Sequence, residues 1–304
     1  MTRPTADPAF VAAAARRPQI WRLLVGLVIA GAIYAAGAAG TIAVWVLLSN
    51  RDPGTAADTL IGGTEPAALL VLLGSFGFMA LGAWAAARWM HGRRLREITG
   101  PRAPVARDFA LAAAVVLALN LLAVIWHAAS GPLAPGLPLG TWLALLPLAA
   151  GLVALQTFAE ELLFRGYVQG QLMARFASPL VWMVLPALAF GMLHYDPAGA
   201  GANAWWVVAA TFGFGLVAAD LTALTGRLGA AWGFHFANNA IAILVIAVQG
   251  GLPALALART TFSLADPEAG GVAMLLDGAV VLLAWLAVRT VLKRGLQRQR
   301  AANT

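Results

Sequence analysis

The sequence predicts an all-α polytopic integral membrane protein of about eight transmembrane helices, on three observations. Hydrophobic residues fill 61% of the 304 positions and charged residues only 11%, giving a mean hydropathy of +0.80. The apolar residues fall in continuous runs long enough to cross ~30 Å of hydrocarbon as helix. Basic residues gather in alternate connections between those runs, the bias that orients membrane proteins. Only helices or closed barrels satisfy every backbone group in lipid, and runs this long and unbroken are helices. Such a composition excludes an ordinary soluble globule. The net charge of +7, sited at membrane borders, fits a lipid surface and no nucleic acid. There is no cysteine, so disulfides and thiolate metal sites are excluded.

In chain order, residues 1–22 form a polar tail with Arg3, Arg16, Arg17 and Arg22. The uncharged run Leu23 to Asn50 is the first span. It is longer than a signal-peptide core, although Ala35-Ala36-Gly37-Ala38 resembles a cleavage site. An acidic loop, Arg51 to Pro66, leads to a second span at about 67–87, then to a basic connection with Arg88, Arg93, Arg94, Arg96, Arg102 and Arg107. The third span, about 109–126, ends before Gly131-Pro132-Leu133-Ala134-Pro135-Gly136-Leu137-Pro138, which cannot continue a helix. A fourth begins near Trp142, and others follow at about 178–195, 204–219, 228–248 and 271–292. The organisation expected is a tail (1–22), three N-terminal spans (23–141), a core (142–250), and an outer loop, last span and basic tail (251–304). Eight spans put both termini on one side and leave Arg51 and Arg259 alone among the basic residues on the other. The termini are therefore expected in the cytoplasm of a cell-membrane protein, with lipids as partners of the arginines. Trp142, Trp205 and Trp206 read as interfacial residues, and Gly31, Gly37 and Gly40 as sites of close helix packing.

Against this background Glu160-Glu161-Leu162-Leu163-Phe164-Arg165 stands out, since ionisable side chains at membrane depth are costly and mark functional sites. Glu161 and Arg165 are four apart, neighbours on one helix face and in the favourable order for an ion pair. Glu160 lies about 100° round the helix. One arginine cannot serve both carboxylates equally, so Glu161 is the paired companion and Glu160 the candidate base. If the fourth helix turns at Ala177, His194 lies as far after the turn as the acids lie before it. At ~1.5 Å per residue the arms of such a hairpin end at one depth, unless Pro186 kinks the second. His235 and Asn239, four apart in the seventh span, supply hydrogen-bond donors for a developing negative oxygen. Phe190 gives His194 an aromatic wall. His91, in the basic connection, and His127, at a span end, read as interfacial.

These residues carry a family resemblance. Glu160-Glu161 with Arg165 resembles a Glu-Glu-x-x-x-Arg motif, Phe190 with His194 a Phe-x-x-x-His motif, and His235 with Asn239 a His-x-x-x-Asn motif. Three such motifs, in this order within polytopic helices, resemble the CAAX protease and bacteriocin-processing (CPBP, or Abi) intramembrane endopeptidases over about Trp142 to Val248. Asn238 adjoins Asn239, which leaves open which amide points inward. The resemblance implies hydrolysis of a peptide bond near a C-terminus or within a membrane-associated peptide or protein. It implies Glu160 as the group that activates water, with Glu161 and Arg165 fixing the site. His194 would hold the water, and His235 and Asn239 would stabilise the oxyanion. The family has been described both as glutamate-dependent and as metal-dependent. Glu160, His194 and His235 would match the ligand set of a hydrolytic zinc site, whereas the compact His-Glu-x-x-His motif is absent.

Three other readings compete. The polar residues could be structural pairs that lock helices. With Asp277 of the eighth span, Glu160, Glu161 and His194 could form the relay of a proton-coupled transporter, although no inverted repeat is evident. The chain could also be a non-catalytic scaffold or immunity-type protein.

Overall fold

The computed structural model describes residues 8–302, and within them the chain is a helical bundle with one small sheet. Helix α1 (Pro8–Ala15) leads to α2 (Ile20–Ser49), a short α3 (Pro53–Ile61), α4 (Pro66–His91), α5 (Leu95–Thr99) and α6 (Arg102–Ser130). Strand β1 (Leu133–Pro135) precedes α7 (Leu139–Glu161), which continues through a π-helical segment (Leu162–Gln169) into α8 (Gly170–Arg175). A π-helical segment (Leu180–Val184) opens α9 (Leu185–Met192), and α10 (Pro197–Ala200) and α11 (Ala204–Thr225) follow. Helix α12 (Gly229–Ala240) ends in a π-helical segment (Ile241–Val245), before strands β2 (Ile246–Gln249) and β3 (Ala258–Ser263) and the last helix, α13 (Ala269–Ala302).

Six stretches are long and apolar enough to cross a membrane: 20–49, 66–91, 95–126, 139–175, 197–225 and 269–299. The protein is thus an all-α polytopic membrane protein. The fifth and seventh expected spans are shorter helices than the hydropathy suggested. The fifth is helical from Leu180 to Met192. Pro186 has no N–H to offer the carbonyl four residues earlier, and the π-helical segment just before α9 takes up the mismatch. The chain then turns at His194, and Asp196 caps α10 by accepting from the Ala198 and Gly199 amides at 3.1 and 3.0 Å. The seventh was expected to run to Val248, but its helix stops at Val245. The β-branched run that follows pairs in parallel with β3, whose other edge pairs antiparallel with β1. Pro135 lies in the edge strand β1, where its missing N–H is tolerated.

The expected polar tail also differs. Residues 8–15 are helical and bury Phe10, Val11 and Ala14 in a core shared with α2, α4 and α8. Arg93, between α4 and α5, is fully buried and clamps this region. It donates to the Glu97 carbonyl at 2.7 Å, the Gly166 carbonyl at 3.3 Å and Gln171 Oε1 at 3.2 Å. Burial lowers its pKa to about 10, which still leaves it cationic at neutral pH. His91 is buried at the end of α4, not interfacial, with Nδ1 2.9 Å from the Arg17 carbonyl and Nε2 3.1 Å from the Tyr167 hydroxyl. Trp142 donates to the Leu244 carbonyl at 2.7 Å, so it ties α7 to the end of α12, whereas Trp205 and Trp206 are exposed. Arg3 and the side chain of His127 lie outside the described residues.

Alternating basic and acidic connections keep the topology expectation testable. Reporter fusions at Thr55, in α3, and at Thr99, at the end of α5, should report opposite sides, because one long apolar helix separates them. Agreement between the two reporters would remove α4 as a crossing.

Candidate active site

Close helix approach sets the depth of the site. In α12, a side chain at Gly229 or Gly233 would overlap the backbone of α6 at Val105 or Phe109, so these glycines let the two helices touch through their main chains. This brings His235, two residues on, opposite the end of α7. Gly215 does the same for α11 against Ala187 of α9, where a Cβ would sit 2.9 Å from the alanine Cβ. Substituting Gly233 by Leu should therefore force α12 away from α6 and lower stability by ~1 to 3 kcal/mol, the usual range for overpacking. Thermal unfolding in detergent measures it, and a wild-type melting temperature would show that the helices do not pack this closely.

Glu160 and Glu161 end α7, and Arg165 sits in the π-helical segment that follows directly. Such segments widen the turn and re-aim side chains, and they recur at functional sites. Glu161 is fully buried and Arg165, His235 and Glu160 nearly so. Glu161 Oε1 is 3.1 Å from Arg165 Nη1 and 2.8 Å from His235 Nδ1. The arginine contact is a close ion pair without the alignment of a hydrogen bond. A carboxylate only accepts, so His235 donates from Nδ1 and turns Nε2 toward Glu160, whose Oε2 is 3.4 Å away. Arg165 also donates to the Gly215 carbonyl at 3.4 Å and lies over the Phe190 ring, 4.6 Å from its centroid. Phe214 closes the other side, its ring 4.7 Å from that of His235.

A cavity of about 780 Å³ opens in front of this cluster, with Glu160, His194, His235, Asn238 and Asn239 in its wall. Glu161 and Arg165 are not in the wall and support it from behind. His194 is half-buried just past α9. Its Nδ1 is 2.8 Å from the Phe190 carbonyl and its ring leans on that of Phe190, 4.7 Å between centroids. The antiparallel hairpin turning near Ala177 thus delivers His194 to the same cavity as the acids. Asn239 donates to Gln156 Oε1 at 3.1 Å, which uses one of its two N–H groups. Both Asn238 and Asn239 face the cavity, so the neighbouring amides are not alternatives.

Sequence reasoning missed three polar residues of the wall, Gln156, Tyr34 and Thr211. Gln156 is four residues before Glu160 on α7 and was detectable as a polar side chain on the same face of an apolar span. Tyr34 gave no local signal, since its place depends on how α2 packs beside α4.

The zinc set Glu160, His194 and His235 is not gathered. Among the described residues no group of three His, Cys, Asp or Glu side chains is close enough to hold a metal ion. His235 gives Nδ1 to Glu161 and His194 gives Nδ1 to a backbone carbonyl, which leaves the Nε2 atoms free but does not bring both together with Glu160. As arranged, the three side chains do not form a metal site.

Fold and site together define a polytopic membrane protein with a buried, arginine-paired glutamate cluster opening on an apolar cavity. Residues 142–241 match the family model described as type II CAAX prenyl endopeptidase Rce1-like, which bears out the resemblance carried by the three motifs. The chain is also 28% identical over 187 residues to the uncharacterized protein YyaK of Bacillus subtilis (strain 168), a match covering 59% of this chain and 62% of that protein. It therefore spans less than two thirds of that relative's length. No solved structure matches it.

Proposed function

We propose that this protein is a glutamate-dependent intramembrane endopeptidase that hydrolyses a peptide bond of a membrane-associated substrate. The observation that carries this reading is the asymmetry of the two acids. Glu160 lines the cavity, with Oε2 buried 3.4 Å from His235 Nε2 and not hydrogen-bonded to it, whereas Glu161 stands behind the wall in contact with both Arg165 and His235. Glu160 takes a proton from water, and the oxygen attacks the peptide carbonyl carbon. The second N–H of Asn239, with the Asn238 amide beside it, donates to the oxyanion. Glu160 then passes the proton to the leaving nitrogen, so that the products are a carboxylate and an amine. With Nδ1–H given to Glu161, neutral His235 presents an acceptor at Nε2, so in place of the oxyanion role that the resemblance implied it holds the water together with His194.

The cavity wall is mostly aliphatic and aromatic, from Leu72, Leu73 and Phe76 of α4 to Leu275 and Leu282 of α13. Leu275 and Leu282 are also exposed on the outer face, so the wall is continuous with the lipid-facing surface. An apolar or lipidated segment enters such a site sideways from the bilayer, in keeping with the prenyl endopeptidase description of the matched family. The test is direct. Purified protein is incubated with apolar peptides in detergent or nanodiscs, with and without chelator, and the fragments are identified by mass spectrometry. New C-termini that persist with chelator support the reading, and intact peptides throughout remove it. Loss of cleavage with chelator, restored by zinc, moves the water onto a metal.

A further inference from the structure

Asp277 belongs to none of the motifs and to no step above. It lies on α13, in register with Val281, Ala284, Val288 and Leu292, which are all buried against the bundle. The opposite face of α13 carries Leu276, Leu283 and Leu286, exposed on the outer surface. The rotation of α13 is fixed from α11, because Asp220 accepts from Trp285 Nε1 at 2.9 Å and from Arg289 Nε at 2.8 Å. Asp277 shares the face of the buried residues and is nevertheless exposed, because it borders an open cavity. Its side chain opens into the cavity that holds Glu160. No hydrogen bond or ion pair to Asp277 occurs among the described residues.

The cavity wall contains no Lys or Arg among the described residues, and its acids are Glu160 and Asp277. Arg165, the nearby cation, is held behind the wall by Glu161. An unpaired carboxylate among apolar side chains at membrane depth is costly, and an occupant that brings a cation relieves that cost. A neutral occupant does not, and an anionic side chain beside Asp277 adds repulsion.

We infer that Asp277 is a specificity residue, and that the cavity admits a segment bearing a Lys or Arg side chain in preference to one bearing a neutral side chain at that position. This rests on the proposed peptide-binding role of the cavity, so its test reads binding, which is independent of cleavage. Fluorescent apolar peptides, identical except for one central Lys, norleucine or Glu, are titrated against the Glu160→Gln protein in nanodiscs. The Lys peptide should bind at least about tenfold more tightly than the norleucine peptide, the low end for a close charge pair. Asp277→Asn in the same background should erase that ratio, while Asp277→Glu, which keeps the charge, should retain most of it.

Equal affinities for Lys and norleucine, or a Lys preference that survives Asp277→Asn, would each overturn the inference. The peptide comparison in the Asp277-containing protein decides the matter even if the Asn variant does not fold. A Lys preference without any cleavage by the wild-type protein would keep this inference and remove the endopeptidase reading. Cleavage without charge preference would do the reverse.

Discussion

Glu160→Gln should lower peptide hydrolysis by at least ~10² to 10⁴, the range for loss of a general base, with little change in melting temperature. Glutamine keeps the size of the side chain and leaves Glu161, Arg165 and His235 in their contacts. Only the cavity-facing oxygen that accepts the proton is replaced. Purified wild-type and variant proteins, compared for cleavage rate and thermal unfolding at one detergent concentration, give the result. A variant as active as wild type would exclude Glu160 as the base. An inactive variant that also melts early would point instead to a structural role, because the proposed chemistry separates the two readouts. The same comparison tests the scaffold reading, which expects no hydrolysis from either protein.

Arg165→Leu should do the opposite kind of damage, with stability and activity falling together. It leaves Glu161 buried with His235 as its remaining partner, and breaking a buried pair by removing one member costs ~3 to 5 kcal/mol. It also removes the cation lying over Phe190 and the donor to the Gly215 carbonyl, contacts that tie the π-helical segment to α9 and α11. Arg165→Lys should recover only part of the loss, since an ammonium lacks the planar fork that reaches a carboxylate, a carbonyl and a ring face at once. Glu161→Gln should fall between, losing the charge opposite Arg165 and the strong acceptor for His235 Nδ1 while the base remains. Folding yield and melting temperature order the series as wild type, Lys, Leu. A stable and fully active Leu variant would rule out the pairing as a structural requirement.

The different fates of adjacent glutamates show how far the sequence could be read. Spacing placed Glu161 beside Arg165, because a four-residue separation on a helix fixes proximity whatever the surroundings. It could not reveal that His235, 74 positions away, completes the pair. That contact depends on how closely α12 lies on α6, which Gly229 and Gly233 permit, and no local pattern encodes the partner surface. The same limit explains Tyr34, whose place in the cavity wall depends on how α2 packs, whereas Gln156 shares a helix face with Glu160 and was legible from spacing. Length was misjudged where hydropathy alone defined a span. Apolar residues at 246–248 read as helix, yet their backbones pair with β3. The tail was misjudged for a related reason, since Phe10 and Val11 acquire a partner only once α8 is in place.

By itself, the sequence determined the class, the order of the long helices and the pairing of Glu161 with Arg165. Each of these follows from local chemistry: the cost of polar groups in lipid, the reach of a helix, and the spacing of neighbours on one face. The tertiary structure alone decided which of two neighbouring acids faces the cavity, that His235 joins both, and that His194 and Asp277 open on the same space. Those outcomes depend on distances between helices, and in a membrane such distances are set by side-chain packing and small-residue contacts between segments far apart in the chain.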